Sequence, residues 1–433
     1  MEKTLNPTNV WNKGFILIFI ANVFMHMGQQ TITTLIPKYA YAMGATATIV
    51  GIVSGAFAMS ALFSKPFTSP LFLCVKKKHL YIFACFLLMS AYVVFYFAPN
   101  VNWLIGGRLF HGIAIGMAAP LSLNMACDNL PEDKFAKGVG LFSLGQALGQ
   151  ALGPSVGLSL SRSIGFKNTF LICLLMMAIC TVIAFFVDSN PKSSDKYRIR
   201  LNTIVEPHAI PIAVTMLFIV MAYSCIPSFL AIYGELLGID NIGLYFTVYA
   251  VAMLVLRFTT SGVADKLGYR KVVSVSLVCF MVTFVLFGAS KALPGFIAAA
   301  IFAALGYGLT LPNMQALCMT SVPSDRRGVA SNTMYLGQDL GQSIGPSIAG
   351  ALIDALILKK CPEGVEYASD QIKAGAYSTM YYLVVIVLVI AVALVIYTTG
   401  KVKNIHKKDV ETDADSDIIT AKTNEAEESK ENQ

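Results

Sequence analysis

The residues LGQALGQALGPS, Leu144–Ser155, return as LGQDLGQSIGPS at Leu336–Ser347, 192 residues further along the chain. The two segments are identical at nine of their twelve positions. The same offset pairs further glycines, prolines and acidic residues: Gly116 with Gly308, Pro120 with Pro312, Pro131 with Pro323, and Asp133 with Asp325. Because one offset holds over long stretches on both sides, it indicates a duplicated structural unit.

Apolar runs surround both copies of this repeat. Of 433 residues, 56% are apolar and 13% are charged, whereas soluble globular chains carry about 25% charged residues. Runs such as Gly14–Ile36 and Met380–Thr399 are long enough to cross about 30 Å of hydrocarbon. A very apolar soluble core is excluded because such runs recur along almost the whole chain. We therefore predict an all-α integral membrane protein with twelve transmembrane helices, at approximately residues 14–36, 48–72, 79–98, 102–126, 136–160, 167–187, 209–233, 242–263, 271–290, 294–318, 328–354 and 377–399.

The repeat divides these helices into two equal sets. Six spans separate equivalent positions, so the two copies have the same orientation in the membrane, as in transporters built from parallel repeats. We predict two pseudo-symmetric six-helix bundles, formed by residues 1–187 and 209–400. Residues 188–208 are polar, basic and bounded by prolines, and we expect a cytoplasmic linker there. Residues 401–433 lack aromatic residues and helical periodicity, which indicates a disordered cytoplasmic tail.

The distribution of positive charge predicts the orientation. Most loop Lys and Arg residues, including those of 76–78 and 192–200, lie on the side that carries both chain ends. Short cytoplasmic loops retain positive charge, so we predict a multi-pass protein of the cell membrane with both termini in the cytoplasm. The basic excess follows this topology and indicates no nucleic-acid partner.

The nine cysteines lie mostly in apolar runs without metal-ligand spacing, so we expect no metal site. We also expect no cofactor, and a monomer.

Three motifs carry a family resemblance. They are the glycine–proline pattern of Gly145–Gly157, the segment Trp103–Gly116 around an arginine, and Gly262–Lys271, GVADKLGYRK. Together they resemble the major facilitator superfamily and, within it, the twelve-helix proton-coupled drug antiporters. The resemblance covers residues 10–400. It implies a secondary active transporter that exports small organic molecules by alternating access. The GVADKLGYRK motif is intact in the second half alone, so the resemblance gives less support to a symmetric cytoplasmic gate.

Three residues are candidates for proton coupling. Asp339 lies near the middle of the eleventh helix, where the first half has Ala147. A charged side chain at that depth costs about 2.5–3.5 kcal/mol, so Asp339 should face a cavity or a partner, and burial favours its protonated form. A satisfied hydrogen bond between helices is the alternative. The resemblance assigns Arg108 to proton coupling, and His111 follows on the same helix face; a structural ion pair and a packed neutral histidine are the alternatives for these two.

Polar and aromatic residues in other helices predict the substrate cavity. The first helix has polar residues at helical spacing, which should line the cavity because they are costly in lipid. That helix lacks a carboxylate, which favours neutral, zwitterionic or anionic amphiphiles as substrates. The predicted cavity residues are Asn22, His26, Gln29, Gln30, Tyr223, Tyr249, Tyr307, Gln338 and Gln342.

Glycines at every fourth position allow two helix backbones to approach and slide. In the fifth and eleventh helices each such stripe ends in Gly-Pro, which permits a kink. We therefore predict a gating role, beside ordinary close packing, for Gly149, Gly153, Pro154, Gly341, Gly345 and Pro346. In the GVADKLGYRK motif we predict gating by Asp265, Gly268 and Arg270, because a carboxylate there can meet the N-terminus of a neighbouring helix.

The predicted function is proton-coupled export of small amphiphilic molecules. A symporter or facilitator that imports a small organic anion is the first alternative, and a non-transporting membrane receptor is the second. An enzyme is not predicted, because the sequence shows no nucleophile–base pair, phosphate loop or metal cluster.

Overall fold

The computed structural model describes residues 9–131, 134–188, 205–259, 266–323, 326–361 and 368–399. Within these ranges the long elements are helices, which we number α1 to α12 in chain order. Their bounds are Lys13–Ala42, Ala47–Cys74, Lys77–Phe97, Val101–Asp128, Phe135–Ile164, Phe166–Phe186, Ile210–Leu236, Leu244–Thr259, Tyr269–Ala289, Leu293–Thr320, Arg327–Lys360 and Asp370–Thr399. The predicted all-α membrane fold with twelve helices is confirmed. Most of the predicted linker, the tail 401–433 and Asp265 lie outside the described ranges.

The helices are suited to a membrane by length and composition. In the described part of the chain, ten helices are long and apolar enough to cross a bilayer, and α8 has a shorter apolar stretch, Leu244–Leu256. Helix α5 has 30 residues, but its glycines, serines and glutamines make it less apolar. Large apolar side chains such as Val182, Phe186 and Ile386 are exposed on the outer faces of the helices, where lipid would cover them.

Local sequence fixes where several helices begin. The side chains of Asn12, Thr46 and Asn100 each accept a hydrogen bond from a backbone N–H in the first turn of α1, α2 and α4. Gly165 and Gly268 precede α6 and α9 with φ of +83°, a left-handed conformation that favours glycine. The predicted gating residue Gly268 therefore has a local structural role at the start of α9.

Helix α10 contains a five-residue π-helical turn, Ala304–Gly308. Within this turn, Gly306 lies against α9 so closely that a Cβ atom there would be 2.5 Å from Cβ of Phe280. The equivalent residues of the first half, 112–116, continue the regular α4 helix. Such π turns often mark functional sites, and this one carries Tyr307.

The glycine stripes pack helices within each bundle. Helix α5 lies on α1, and α11 lies on α7. A Cβ atom on Gly149 would be 2.6 Å from Cβ of His26, and one on Gly341 would be 2.3 Å from the carbonyl oxygen of Leu217. These glycines therefore permit close backbone contact inside the bundles.

Different faces of the helices join the two bundles. Helix α2 packs on α11, and α5 packs on α8. A Cβ atom on Gly51 or Gly55 would be 2.1 Å from the carbonyl oxygen of Pro346 or Ser343, respectively. The α2–α11 contact is thus as close as the contacts inside each bundle.

We call the end of the molecule where α2 ends and α11 begins the linker side, and the opposite end the far side. Polar contacts tie the bundles together on the far side. The Asp354 carboxylate accepts hydrogen bonds from the backbone N–H groups of Ala47 and Thr48 at 3.0 and 2.8 Å, and from the Thr48 hydroxyl at 2.6 Å. Lys38 pairs with Glu235 at 3.1 Å. Further far-side contacts join Ser155 to Gly243 and Thr247, and Arg162 to Asp240.

Candidate functional site

An ion pair between Lys65 of α2 and Asp339 of α11 joins the two bundles near mid-depth. The Lys65 and Asp339 side chains are 24% and 17% exposed, so neither is fully enclosed by protein. The Lys65 ammonium also lies 5.8 Å from the ring centroid of Tyr335, one turn before Asp339 on α11. The predicted candidate Asp339 therefore faces a partner across the bundle interface.

The sequence analysis missed Lys65. Two signals could have revealed it. Lys65 interrupts the apolar residues of α2, where a charge is costly unless it is paired. The repeat offset also places Lys65 in register with Arg257 of α8, so each half has a basic residue at this position of its second helix.

Stacked tyrosines form part of the second bundle beside this pair. The rings of Tyr223 on α7 and Tyr307 on the π turn are parallel within 7°, with centroids 3.9 Å apart. Tyr249 of α8 lies within electrostatic range of both hydroxyls, and Tyr335 lies within range of Tyr307. The three predicted cavity tyrosines are thus brought together, and Tyr335 extends the group toward Lys65. We call Tyr223, Tyr249, Tyr307 and Tyr335 the tyrosine wall.

A cleft lies between α5 and α8. It occupies the position that is symmetric to the Lys65–Asp339 pair, because the repeat places Ala147 at the position of Asp339 and Gln150 at that of Gln342. Small side chains on α5 leave space there, and Tyr249 connects the cleft to the tyrosine wall. The lining residues are Ala147, Gln150, Ala151, Tyr249, Ala250, Met253 and Leu254.

Of the predicted cavity residues in α1, two are buried inside the first bundle and two are half-buried. Asn22 is buried and donates a hydrogen bond to the Phe142 carbonyl at 3.3 Å, and His26 is buried against Gly149. Both therefore face α5 inside the first bundle. Gln29 and Gln30 are half-buried.

The glutamines of α11 that flank Asp339 are also half-buried. Gln338 has a buried Nε2 atom that lacks a hydrogen-bond partner among the described residues, and Gln342 lies one turn after Gln338. These side chains add polar groups close to the ion pair. A cavity role for the predicted glutamines stays a prediction.

Arg108 and His111 lie in the interior of the first bundle. Arg108 is 1% exposed; it donates to the carbonyl oxygens of Val53 and Ser54 at 3.1 and 3.2 Å, and its guanidinium lies 4.8 Å from the Phe57 ring centroid. The His111 Nδ1 atom is 3.3 Å from Arg108, and its ring is fully buried. Proton coupling through these residues stays a prediction, and the structure gives them a role in joining α4 to α2.

The predicted gating residues fall into three groups. Gly149, Gly153, Gly341 and Gly345 pack against α1 or α7 in their own bundles. Pro154 and Pro346 mark the points where the bundles meet on the far side, since the next residue, Ser155, and the Pro346 carbonyl contact the other bundle. Arg270 is exposed on the linker side.

The chain is similar in sequence to known membrane transport proteins. A family model described as Major Facilitator Superfamily matches residues 18–241 and 212–424. The staphylopine export protein of Staphylococcus aureus is 22% identical over 262 residues, which cover 56% of this chain and 64% of that protein. A multi-drug resistance efflux pump PmrA homolog of Lactococcus lactis is 26% identical over 194 residues, which cover 43% of this chain and 46% of that protein. The matches thus span less than two thirds of these relatives.

Solved structures share the fold. A bacterial homolog of the human lysosomal transporter Spinster, in an inward-facing and unoccupied conformation, has a TM-score of 0.76 at 13% identity, covering 92% of this chain and 99% of the other. A variant of the nucleoside transporter NupG has a TM-score of 0.75 at 10% identity, covering 90% of this chain and 100% of the other. At these identities the likeness shows the fold alone.

Proposed function

Because the chain belongs to the Major Facilitator Superfamily, we propose that it is a proton-coupled exporter of small amphiphilic molecules in the cell membrane. The family and the relatives make it a multi-pass membrane transporter and not an enzyme. Export is supported by the two relatives, which are named as an export protein and an efflux pump. Proton coupling, direction and substrate class are the proposed parts.

The observation that carries the proposal is the Lys65–Asp339 ion pair between the bundles. A carboxylate that is mostly removed from water gains a proton more readily than a solvated one, while a nearby ammonium opposes this. Asp339 can therefore gain a proton and lose its negative charge when the Lys65 ammonium moves away from it. In an antiporter, protonated Asp339 would release cargo and ionised Asp339 would bind it.

Alternating access needs contacts that close one side at a time. The far-side contacts of Asp354, Lys38 and Ser155 close that side in this structure. We assign the linker side to the cytoplasm because most loop Lys and Arg residues lie there. The external side would then be the one that these contacts close, as an exporter requires when it takes its cargo from the cytoplasm.

Reconstituted vesicles test this function. The full chain is placed in vesicles with its linker side outward, and the lumen is made acidic so that protons flow out. An antiporter should accumulate probes from a panel that includes ethidium, norfloxacin and carboxyfluorescein. Asp339→Asn should abolish this accumulation but retain downhill exchange, because the side chain can no longer carry a proton.

Asp240→Asn is the matched control. Asp240 is 91% exposed and pairs with Arg162 on the far side, so this variant should accumulate probes like the wild type. Accumulation driven by an acidic exterior would indicate a symporter and contradict the proposal. Undiminished accumulation by Asp339→Asn would remove this residue from the coupling mechanism.

A further inference from the structure

We propose that the substrates are zwitterions, whose cationic group takes the place of Lys65 beside Asp339 while their anionic group binds Lys65. The substrate would thus insert into the ion pair that joins α2 to α11. This inference rests on the proposed function, because it assumes that the site around Asp339 binds the cargo. It adds the chemical class of that cargo.

The first support is the accessibility of the two charges. Lys65 and Asp339 are 24% and 17% exposed, whereas Arg108, a basic side chain of α4, is 1% exposed and bound to backbone carbonyls. A ligand can therefore reach both members of the pair without unpacking a bundle. The partner helices of a rocking transporter must also separate and rejoin along this contact.

The second support is the cost of an unpaired charge. A ligand with a single charge would satisfy one member of the pair and leave the other less compensated in a region of low dielectric constant, which is expensive. A zwitterion compensates both. The charge-assisted contact between Lys65 and Asp339 is replaced by one contact of each side chain with the ligand. Binding therefore leaves neither charge without a partner and avoids a large desolvation penalty.

The third support is the coupling that such binding produces. The described groups around Asp339 are Lys65 from α2 and Tyr335 from its own helix, whereas α7 packs against the opposite face of α11 at Gly341 and Gly345. A ligand cation binds only ionised Asp339, so the proton and the zwitterion compete. Competition for one group is the requirement of antiport. A purely anionic ligand would bind best when Asp339 is protonated, which is the requirement of symport.

The tyrosine wall and the cleft determine which uncharged part a substrate can have. Tyr335 lies beside Lys65, and the tyrosine wall leads through the stacked Tyr223 and Tyr307 to the cleft at Tyr249 and Met253. Aromatic faces and apolar side chains favour an aromatic or short alkyl body.

A matched set of probes tests this assignment. Pyrenylalanine is a zwitterion, its methyl ester is a cation, and its N-acetyl derivative is an anion, with the same fluorescent ring in each. Binding to the purified full chain is followed by pyrene fluorescence at pH 6, at which the amine of the methyl ester is protonated. We expect the zwitterion to bind at least about tenfold more tightly than either blocked form, the effect of one charge-assisted contact. Its binding should weaken as the pH is lowered and Asp339 gains a proton, and at that lower pH it should release protons into weakly buffered solution, whereas an anion that binds to protonated Asp339 should bind more tightly at low pH and take protons up.

Two variants should lose selectivity in complementary ways. Lys65→Gln should remove the preference for the zwitterion over the methyl ester, and Asp339→Asn should remove the preference over the N-acetyl form. Lys65→Arg should keep the preference. Because each selectivity is a ratio within one preparation, partial unfolding does not change it.

The proposal is overturned if the zwitterion does not bind more tightly than both blocked forms, or if Lys65→Gln weakens all three probes equally. Vesicle transport separates this failure from failure of the proposed function. Loss of charge selectivity with intact proton-driven, Asp339-dependent accumulation overturns the zwitterion assignment alone. Accumulation that does not depend on the proton gradient overturns the proposed function.

Discussion

Glu206 shows how one residue ties the predicted linker region to the second bundle. Its side chain is 5% exposed and accepts hydrogen bonds from the Arg326 guanidinium at 2.7 and 2.8 Å, and from His208 Nδ1 at 2.9 Å. Its backbone N–H donates to the Thr333 hydroxyl at 2.7 Å. His208 and Arg326 lower the pKa of the Glu206 carboxyl from its ordinary value of 4.5. The segment before α7 is thereby fixed to the start of α11.

We expect Glu206→Gln to destabilise the protein at pH 7 by about 2 kcal/mol, because a neutral amide cannot replace charge-assisted bonds in a buried place. The folded pKa is depressed, so this stabilisation is complete above the unfolded pKa of about 4.5 and is lost as the pH falls through the folded value. The difference in thermal midpoint between the wild type and the variant should therefore stay constant from pH 7 to about pH 5 and narrow as the pH falls below 4.5. A difference that does not narrow below pH 4.5 would contradict the assignment.

Glu235→Gln serves as the control for this measurement. The Glu235 side chain is 59% exposed and pairs with Lys38. Exposed ion pairs contribute about 0–1 kcal/mol, so this variant should stay close to the wild type at every pH. Burial, and not the loss of a carboxylate as such, would then explain the behaviour of Glu206→Gln.

At the scale of helices, the glycines of α11 serve close packing against α7. A Cβ atom on Gly341 would be 2.3 Å from a backbone oxygen of Leu217, which no side-chain rotation can relieve. We expect Gly341→Ala to lower the unfolding free energy by about 1–3 kcal/mol through overpacking. Thermal unfolding of the purified protein, followed by exposure of its buried cysteines, measures this loss.

Gly106→Ala in α4 is the matched control for Gly341→Ala. A Cβ atom there would meet nothing within 4 Å, and alanine favours helices over glycine by roughly 0.5–1 kcal/mol. This variant should therefore be as stable as the wild type or slightly more stable. Equal destabilisation of both variants would show that the contact between α11 and α7 does not explain the glycine.

The elements also show which features the sequence could predict. Apolar runs are limited in length by the bilayer, so twelve helices and their approximate bounds were predictable, and the repeat predicted two bundles. The Lys65–Asp339 pair was not predictable, because α2 and α11 belong to different bundles and no local pattern encodes how bundles dock. A glycine stripe identifies a closely packed face, but it does not identify the helix that covers it. Similarly, the backbone partners of Arg108 depend on the approach of α2 to α4.

At the scale of the whole molecule, two ties hold α2 to α11 at different depths. Asp354 binds the first turn of α2 at Ala47 and Thr48, and Asp339 binds Lys65, about 26 Å further along the helix at 1.5 Å per residue. The first tie closes the far side, while the second lies toward the linker side. In the proposed alternating access, rocking of the bundles breaks and restores the two ties separately.

We expect Asp354→Ala to open the far side, because it leaves N–H groups at the start of α2 without their carboxylate acceptor. Loss of a cap of this kind costs about 1 kcal/mol, which is roughly a fivefold shift in the equilibrium between open and closed forms. Hydrogen exchange should increase in residues 43–52 and stay unchanged near Lys65. Asp339→Asn should produce the reverse pattern, and the effects should add in the double variant because the sites are distant.

Asp240→Ala, which removes a 91% exposed far-side partner of Arg162, should change exchange little. If Asp354→Ala instead raised exchange equally at both depths, α2 and α11 would separate as one unit, and access could not alternate through these two ties.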